Sequence, residues 1–208
     1  MTPYYEHEGI TIYHGDCRDV LPEALFGAGA VVTDPPYGHG SKWSGGTWAA
    51  NPIYDLTFKW DAKPVDQSLI ELVTASAPVS IVWGGNYYSL PPSRCWLSWV
   101  KTQQMGTMAD FEMAWTNLDR PAKLFRESRN PDGQREHPTQ KPVSLMRWCL
   151  SFCPEHGAIL DPFMGSGTTL VAAKAIGRMA IGIEIEERYC EIAARRLSQG
   201  VLPLEVGA

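Results

Sequence analysis

The chain has 208 residues and a net charge of −5, and 44% of its residues are hydrophobic and 20% charged, which excludes an intrinsically disordered chain and predicts one globular domain. No apolar run approaches the ~18 residues of a membrane span, and the first ten residues lack the basic start and apolar block of a secretory signal. Five scattered cysteines, an odd number, argue against a disulfide framework and favour a cytoplasmic protein without a membrane partner.

A predicted buried strand at residues 30–33 leads directly into the motif Asp34-Pro35-Pro36-Tyr37. The two prolines have a fixed φ and no N–H, so the turn is stiff and its carbonyl oxygens remain available as acceptors. Asp34 adds a carboxylate acceptor, and Tyr37 adds a flat aromatic face. This combination favours a planar ligand with an amino group, because the acceptors bind the amino hydrogens while the ring stacks on the base. The alternative is a plain strand-to-turn junction with a surface tyrosine.

The middle of the chain predicts further strands and two irregular regions. The strands are expected at residues 79–83, 95–100 and 111–116, the last two as an antiparallel hairpin at the edge of the sheet. Residues 38–60 and 118–136 predict no regular element, and such long segments in a compact domain usually serve in binding. Residues 145–152 predict a helix with a buried cysteine, which favours a structural role for Cys149 and Cys153, and we expect no metal at this pair.

The last part of the chain alternates strands and helices, which predicts a doubly wound parallel sheet of the α/β class. Strands are expected at residues 158–160 and 179–183, and helices at 168–176 and 186–197. The first of these strands ends at Asp161, and a turn with Gly165 and Gly167 then leads into the helix at Thr168. Such a turn brings a ligand close to the backbone at the carboxyl end of a strand, where helix amides point outward.

The residues around this turn restrict the class of ligand. Glu184 ends the next strand, about 20 residues after Asp161, where an acidic residue would bind a ribose. No lysine directly precedes Thr168, which disfavours the P-loop of ATP and GTP sites, and Leu170 stands where a dinucleotide motif would have its third glycine. S-adenosylmethionine, a nucleoside without a phosphate chain, fits the remaining pattern. The alternative is a packing turn of an α/β protein.

Together these motifs resemble those of the amino-group DNA methyltransferases, which methylate the exocyclic nitrogen of adenine or cytosine. Residues 34–37 match the family's catalytic motif in full, and residues 161–169 match its cofactor motif in full. The catalytic motif comes first, as in the family's beta class. Residues 14–17 resemble the segment near the cofactor's adenine, and residues 137–142 resemble the segment that helps to hold its methionine end. The resemblance extends over about residues 10–198.

The resemblance implies a Rossmann-like methyltransferase fold that depends on S-adenosylmethionine, with a mostly parallel sheet, an antiparallel edge hairpin and a circularly permuted motif order. It implies one catalytic domain, residues 1–208, that transfers a methyl group from S-adenosyl-L-methionine to N6 of adenine at specific DNA sites. N4 of cytosine is the alternative target, and a non-catalytic regulator that binds S-adenosylmethionine is a further alternative. An RNA or protein-amide methyltransferase is disfavoured, because those enzymes usually carry an Asn-led motif and the unpermuted order.

The resemblance also implies roles for individual residues. Catalysis is expected from Asp34, Pro35, Pro36 and Tyr37. Cofactor binding is expected from Asp16, Cys17, Asp34, Thr139, Lys141, Asp161, Phe163, Gly165, Gly167, Thr168 and Glu184. Direct transfer of the methyl group to the amino nitrogen needs neither a covalent enzyme intermediate nor a metal, so no metal site is expected.

Charge is unevenly distributed, with a net of +3 in residues 119–147 and −8 in the remainder. Such a basic strip is typical of phosphate binding, and a solvated loop of mixed charge is the alternative. We expect double-stranded DNA as the partner, with contacts from Lys42, Trp43, Arg120, Lys123, Arg126, Arg129 and Arg135. The loops 39–60 and 118–136 are the candidate DNA-recognition inserts. A homodimer, a cognate restriction nuclease and a bacterial or phage-infected host cell are compatible with this interpretation.

Overall fold

The computed structural model describes residues 2–24, 27–38, 63–103, 109–129, 131 and 140–199. Within these residues nine strands form one sheet: β1 Tyr5–His7, β2 Ile10–His14, β3 Ala28–Thr33, β4 Val79–Trp83, β5 Trp96–Lys101, β6 Phe111–Thr116, β7 Lys123–Glu127, β8 Ala158–Asp161 and β9 Ala180–Glu184. Five α-helices accompany it: α1 Cys17–Ala24, α2 Gln67–Ala75, α3 Val143–Leu150, α4 Thr168–Ala175 and α5 Glu187–Ser198. None of these helices is long and apolar enough to cross a membrane.

The strand order is β1-β2-β9-β8-β3-β4-β6-β5-β7. Strands β2, β9, β8, β3 and β4 are parallel to their neighbours in this series. β6 pairs antiparallel with both β4 and β5, and β1 pairs antiparallel with β2. The carboxyl ends of the parallel strands therefore meet at one end of the sheet, which we call the carboxyl end. The last residues of β5 and the first residues of β6 also lie there.

Apolar side chains cover both faces of the central strands, which explains why these strands are continuous apolar runs in the sequence. On one face, Val32, Ile81 and Ile159 belong to a core that includes buried residues of α3, α4 and α5. On the other face, Val31 and Leu160 pack with buried residues of α1 and α2. Burial of each such side chain contributes roughly 1.5–3 kcal/mol, so the strand ends that carry the site are firmly held. The three layers confirm the predicted α/β class.

The predicted elements agree with β3, β4, β8, β9, α3, α4, α5 and the β5–β6 hairpin, with ends that differ by one or two residues. β7 differs from the expectation, because it lies within residues 118–136, where no regular element was predicted. It pairs parallel with β5 and is the outermost strand on that side, so the β5–β6 hairpin does not form the edge of the sheet where the sequence analysis expected it. Phe125 packs against the core while its neighbour Leu124 is exposed, although both are apolar. The sequence of this strand therefore does not alternate apolar and polar residues, which is the pattern that predicts a strand. Of the region 38–60, all but Gly38 lies outside the described residues.

Candidate active site

A cavity of about 390 Å³ lies at the carboxyl end of the sheet. Its walls come from the segments that follow β2, β3, β8 and β9, together with residues 63–66 before α2 and residues 140–141 before α3. The volume falls in the range of roughly 300–1,000 Å³ that is usual for ligand and cofactor sites. The parallel strands therefore bring residues from distant parts of the chain to one concave site.

The end of β3 places Asp34 in the wall of this cavity. The stiff turn of Pro35 and Pro36 carries Tyr37 back toward Asp34, and the Tyr37 hydroxyl donates a hydrogen bond to Oδ1 of the carboxylate. Burial and the Asp34 charge raise the pKa of Tyr37, so the phenol stays neutral. The turn is held from behind, because the Tyr88 hydroxyl donates to the Pro36 carbonyl oxygen at 2.5 Å.

The ring of Tyr37 packs beside Gly84 and Tyr87. Gly84 follows β4 with a left-handed φ of 65°, and a Cβ atom at this position would lie 2.0 Å from Cε1 of Tyr37. Glycine is therefore needed both for the backbone conformation and for the space that the ring occupies. The rings of Tyr37 and Tyr87 stack with centroids 4.9 Å apart at an interplanar angle of 28°. Since Tyr87 is half exposed, the pair forms an aromatic surface next to Asp34.

A buried series of charges continues from Asp34 into the protein. The Nζ atom of Lys141 pairs with Oδ2 of Asp34 and lies 3.2 Å from Oε2 of Glu112. Lys101 pairs with the other oxygen of Glu112, Oε1. We call Asp34, Lys141, Glu112 and Lys101 the ion-pair chain. The two lysine side chains are only 6% and 4% exposed, respectively.

The pKa values within the ion-pair chain reflect its alternating charges. Burial alone would raise the pKa of Glu112, but the charges of Lys141 and Lys101 outweigh burial and lower it to about 2. Burial alone would lower the pKa of Lys141, but Asp34 and Glu112 raise it above its usual value. At neutral pH, Glu112 is therefore a carboxylate and Lys141 an ammonium ion, and each holds the other in place.

Glu184 lines the cavity at the end of β9. Its Oε2 accepts the N–H of Gly165 at 2.9 Å, and its Oε1 accepts the N–H of Glu186 at 2.9 Å. Burial raises the pKa of Glu184 to about 7, although the two N–H groups act against this shift. Each carboxylate oxygen has a further lone pair, so the group can still accept hydrogen bonds from a ligand.

Asp161, at the end of β8, ties the glycine turn to the strand that carries Asp34. Its Oδ1 accepts the Thr33 hydroxyl at 2.7 Å and the Phe163 N–H at 3.2 Å. Burial raises the pKa of Asp161 to about 6, although these hydrogen bonds lower it in part. The two halves of the cavity are thus joined through one buried carboxyl group.

Helix α5 packs directly on the glycine turn. Gly167 precedes α4 with a φ of 77°, and a Cβ atom there would lie 2.7 Å from the Cβ of Ala193. Arg196 donates from Nη1 to the Ser166 carbonyl oxygen at 2.5 Å and to Oγ1 of Thr168 at 3.2 Å. The turn is therefore fixed from behind, with its other side toward the cavity.

At the end of β2, Asp16, Cys17 and Arg18 line the other side of the cavity. The Asp16 carboxylate accepts hydrogen bonds from Nε and Nη2 of Arg18, at 3.0 and 2.6 Å, and this interaction lowers the pKa of Asp16. Burial raises the pKa of Cys17 to about 12, so its thiol is neutral at ordinary pH.

Most residues that the sequence assigned to the cofactor line this cavity, namely Asp16, Cys17, Asp34, Lys141, Asp161, Phe163, Gly165, Thr168 and Glu184. Gly167 lies behind the turn against α5, and Thr139 is outside the described residues. Of the Asp-Pro-Pro-Tyr motif, Asp34 and Pro36 line the cavity, Pro35 is buried and Tyr37 lies beside Asp34.

The residues assigned to DNA are spread along β7 and its flanks. Because β7 runs parallel to β5, Arg126 and Arg129 lie toward the carboxyl end of the sheet. Lys123 and Arg120 lie toward the opposite end, where the guanidinium carbon of Arg120 is 5.3 Å from the ring centroid of Phe152. The other assigned residues, Lys42, Trp43 and Arg135, are outside the described residues.

Lys101, Glu112 and Arg196 are functional candidates that the sequence patterns did not predict. Lys101 and Glu112 interrupt the two Trp-containing hairpin strands, and a charge in a half-buried strand requires a partner. That signal could have pointed to an ion pair, although not to its connection with Asp34. In the part of the chain that the structure describes, no group of three or more His, Cys, Asp or Glu side chains could hold a metal ion.

Comparisons with known proteins find a matching family model and similar chains. A family model described as DNA methylase, N6_N4_Mtase, matches residues 74–195. The type II methyltransferase M.ScaI of Streptomyces caespitosus is 27% identical to this chain in an alignment of 255 positions, which spans 94% of this chain and 83% of that protein. The crystal structure of the M1.HpyAVI–SAM complex is 23% identical, with a TM-score of 0.57 over 91% of this chain and 100% of that chain. The PvuII DNA methyltransferase, described as cytosine-N4-specific, is 16% identical, with a TM-score of 0.64 over 97% of this chain and 91% of that chain.

Proposed function

The chain belongs to the N6_N4_Mtase family of DNA methylases, and from that premise we propose that it methylates N6 of adenine in double-stranded DNA. The observation that supports methylation of an exocyclic amino group, in either base, is the position of Asp34 at the carboxyl end of β3. There the carboxylate lines a cavity, with the Tyr37 ring on one side and Glu184 in the same cavity. These residues would supply an acceptor for an amino group, a stacking ring and an acceptor for a ribose, a set that suits methylation of a base.

S-adenosylmethionine fits the residues that line the cavity. Glu184 would accept its ribose hydroxyls, since both carboxylate oxygens keep lone pairs beyond those used by Gly165 and Glu186. Asp16 and Phe163 would border the adenine, and the glycine turn would lie close to the nucleoside. When bound, S-adenosylmethionine supplies a methyl group on a positively charged sulfur, and the sulfur keeps the C–S electron pair as a neutral thioether.

Asp34 would bind the target amino group of a base that has turned out of the duplex, because a base within the stack cannot reach the cavity. The carboxylate and the Pro35 carbonyl accept the two amino hydrogens, and Tyr37 stacks on the base. The nitrogen lone pair forms the new N–C bond, and the surplus amino proton leaves through Asp34 to solvent. These contacts hold the nitrogen in line for attack, and positioning of this kind supplies a large part of the rate.

Adenine is the proposed target because an Asp-led motif is the commoner adenine form among the enzymes that this chain resembles. Cytosine N4 is the alternative target. The same acceptors would hold either amino group, and the cytosine-N4-specific PvuII methyltransferase shares the fold.

DNA would contact the carboxyl end of the sheet. Arg126 and Arg129 lie toward that end and would bind backbone phosphates, with the loops 39–60 and 118–136 as recognition inserts of one catalytic domain. The likeness to the type II methyltransferase M.ScaI leads us to propose a role in a restriction-modification system, in the cytoplasm of a bacterial or phage-infected cell. A cognate nuclease would then be the partner enzyme, and light scattering would test for a homodimer.

The experiment that tests the proposal identifies the methylated nucleoside. Purified protein is incubated with methyl-labelled S-adenosylmethionine and DNA of mixed sequence, and the DNA is digested and analysed by mass. Label on N6-methyldeoxyadenosine supports the proposal, and label on N4-methyldeoxycytidine changes the base while keeping the chemistry. Absence of label, with cofactor binding retained, refutes methylation and favours the non-catalytic regulator.

A further inference from the structure

Lys101 and Glu112 of the ion-pair chain have no part in the reaction described above. Asp34 and Lys141 line the cavity, but Lys101 and Glu112 are not among its described lining residues. Lys101 nevertheless has its ammonium group buried in a strand end that is otherwise apolar, next to Trp99 and Val100. Buried ion pairs stabilise a fold little compared with apolar side chains of the same size. We therefore ask what the Lys101–Glu112 pair does to the position of Asp34.

The two oxygens of Asp34 have different partners. Oδ2 pairs with Lys141, and Oδ1 accepts the hydroxyl of Tyr37. Lys141 is held on several sides, since its Nζ lies 3.2 Å from Oε2 of Glu112 and 5.6 Å from the ring centroid of Trp83. The Tyr37 ring, in contrast, must stack on the incoming base, so its hydroxyl is the partner that Asp34 exchanges. Oδ1 then becomes the acceptor for the amino group while Oδ2 stays anchored.

The position of Lys141 depends on Glu112, because the Glu112 carboxylate pairs with both lysines of the ion-pair chain. One oxygen of Glu112 pairs with Lys141 and the other with Lys101. The positive charges of Arg129 and Lys141 repel the Lys101 ammonium group. Glu112 offsets this repulsion, because its carboxylate pairs with both buried ammonium groups. Without the Glu112 charge, the two ammonium groups would repel each other across an uncharged side chain. Without Lys101, Glu112 would attract Lys141 alone and draw it away from Asp34.

We propose that Glu112 and Lys101 are positioning residues for methyl transfer, which keep Lys141 on Oδ2 of Asp34 and leave Oδ1 to accept the amino group of the base. The inference rests on the proposed function and deepens it. Glu112 and Lys101 act through Lys141 and touch neither the base nor the cofactor. Their replacement should therefore slow the chemical step and leave the binding steps nearly unchanged.

The test compares Glu112→Gln, Lys101→Met and the double variant with wild type. Glu8→Gln is the matched control, because Glu8 pairs with Lys174 at 2.8 Å away from the cavity, and the substitution is chemically the same. Cofactor and DNA dissociation constants are measured by titration, and kcat is measured per cofactor-binding site so that unfolded protein does not count. We expect kcat to fall by on the order of 10²-fold in each single variant, since misplacement of about 1 Å has this effect. The double variant restores the balance of charge and should regain part of the rate.

The outcomes separate this inference from the proposed function. If Glu112→Gln and Lys101→Met transfer methyl groups at the wild-type rate per binding site, or lose cofactor binding in proportion to rate, the positioning role is refuted. If Glu112→Gln does not fold, Lys101→Met alone decides, because it leaves Lys141 paired with Glu112. If wild type and Glu8→Gln methylate no DNA, the proposed function itself fails and the inference fails with it. A fall in kcat with both dissociation constants unchanged, together with recovery in the double variant, supports it.

Discussion

Gly84 offers a sharp test of the role of Tyr37, because a single methyl group there would displace the ring. In Gly84→Ala, the new Cβ would lie 2.0 Å from Cε1 of Tyr37. The ring must therefore retreat by about 1.5 Å to reach an ordinary carbon–carbon separation of about 3.5 Å. A shift of that size moves the stacking surface and the hydroxyl away from Asp34, and we expect kcat to fall by on the order of 10²-fold.

Backbone strain also changes in Gly84→Ala, and a matched variant isolates it. Gly177 has a φ of 69°, close to the 65° of Gly84, but a Cβ there meets nothing within 4 Å. Both alanine variants should lose about 1–2 kcal/mol of unfolding free energy from the left-handed conformation, which urea denaturation measures. Only Gly84→Ala should lose methyl transfer, measured in a single turnover at saturating cofactor and DNA. The role of the Tyr37 ring is refuted if Gly84→Ala transfers as fast as Gly177→Ala, or if both variants lose rate equally.

Three further predictions follow from the same site. Glu184→Gln should weaken cofactor binding by roughly 10- to 150-fold, the value of a hydrogen bond to a charged group, whereas Glu191→Gln on the exposed face of α5 should bind normally in the same titration. In the folded state the pKa values of Glu184 and Asp161 are raised to about 7 and about 6, so the folded state holds protons that the unfolded state has released. The unfolding free energy should therefore fall as pH rises from roughly 4 to 7, and it should fall less steeply in Glu184→Gln. Tyr37→Ala should weaken DNA binding by roughly 5- to 150-fold through lost stacking, whereas Tyr37→Phe should bind DNA like wild type in a fluorescence titration.

The local structures of the two motifs were predictable from the sequence, because each motif lies within one short stretch of the chain. Strand, turn and helix follow one another around Gly165 and Gly167, and the Asp34 motif follows its strand directly, so short-range patterns were sufficient. The meeting of the two motifs follows from the parallel order of β3 and β8, which alternating strands and helices already indicated. Glu184 reaches the same site because β9 follows α4 and runs parallel to β8, so it also ends at the carboxyl end of the sheet.

The ion-pair chain was not predictable in the same way. Lys141 belongs to a segment that the resemblance assigned to the cofactor, yet its ammonium group pairs with Asp34 and Glu112. These contacts depend on the insertion of β6 next to β4, a long-range pairing that no local pattern in Glu112 or Lys101 reveals. β7 was missed for a related reason, since it is a polar edge strand whose pairing with β5 is set by tertiary structure.

The role of Asp34 is tested most directly by measuring turnover and cofactor binding separately in Asp34→Ala. Lys141 keeps Glu112 as a partner at 3.2 Å, but one Glu112 carboxylate then faces two buried ammonium groups, so urea denaturation first checks that the variant is folded. We expect the variant to bind S-adenosylmethionine within about threefold of the wild-type dissociation constant. Its single-turnover transfer to DNA should fall by on the order of 10³-fold or more, because the acceptor for the amino group is gone. Transfer by Asp34→Ala at close to the wild-type rate would contradict the central claim that this carboxylate binds the target amino group.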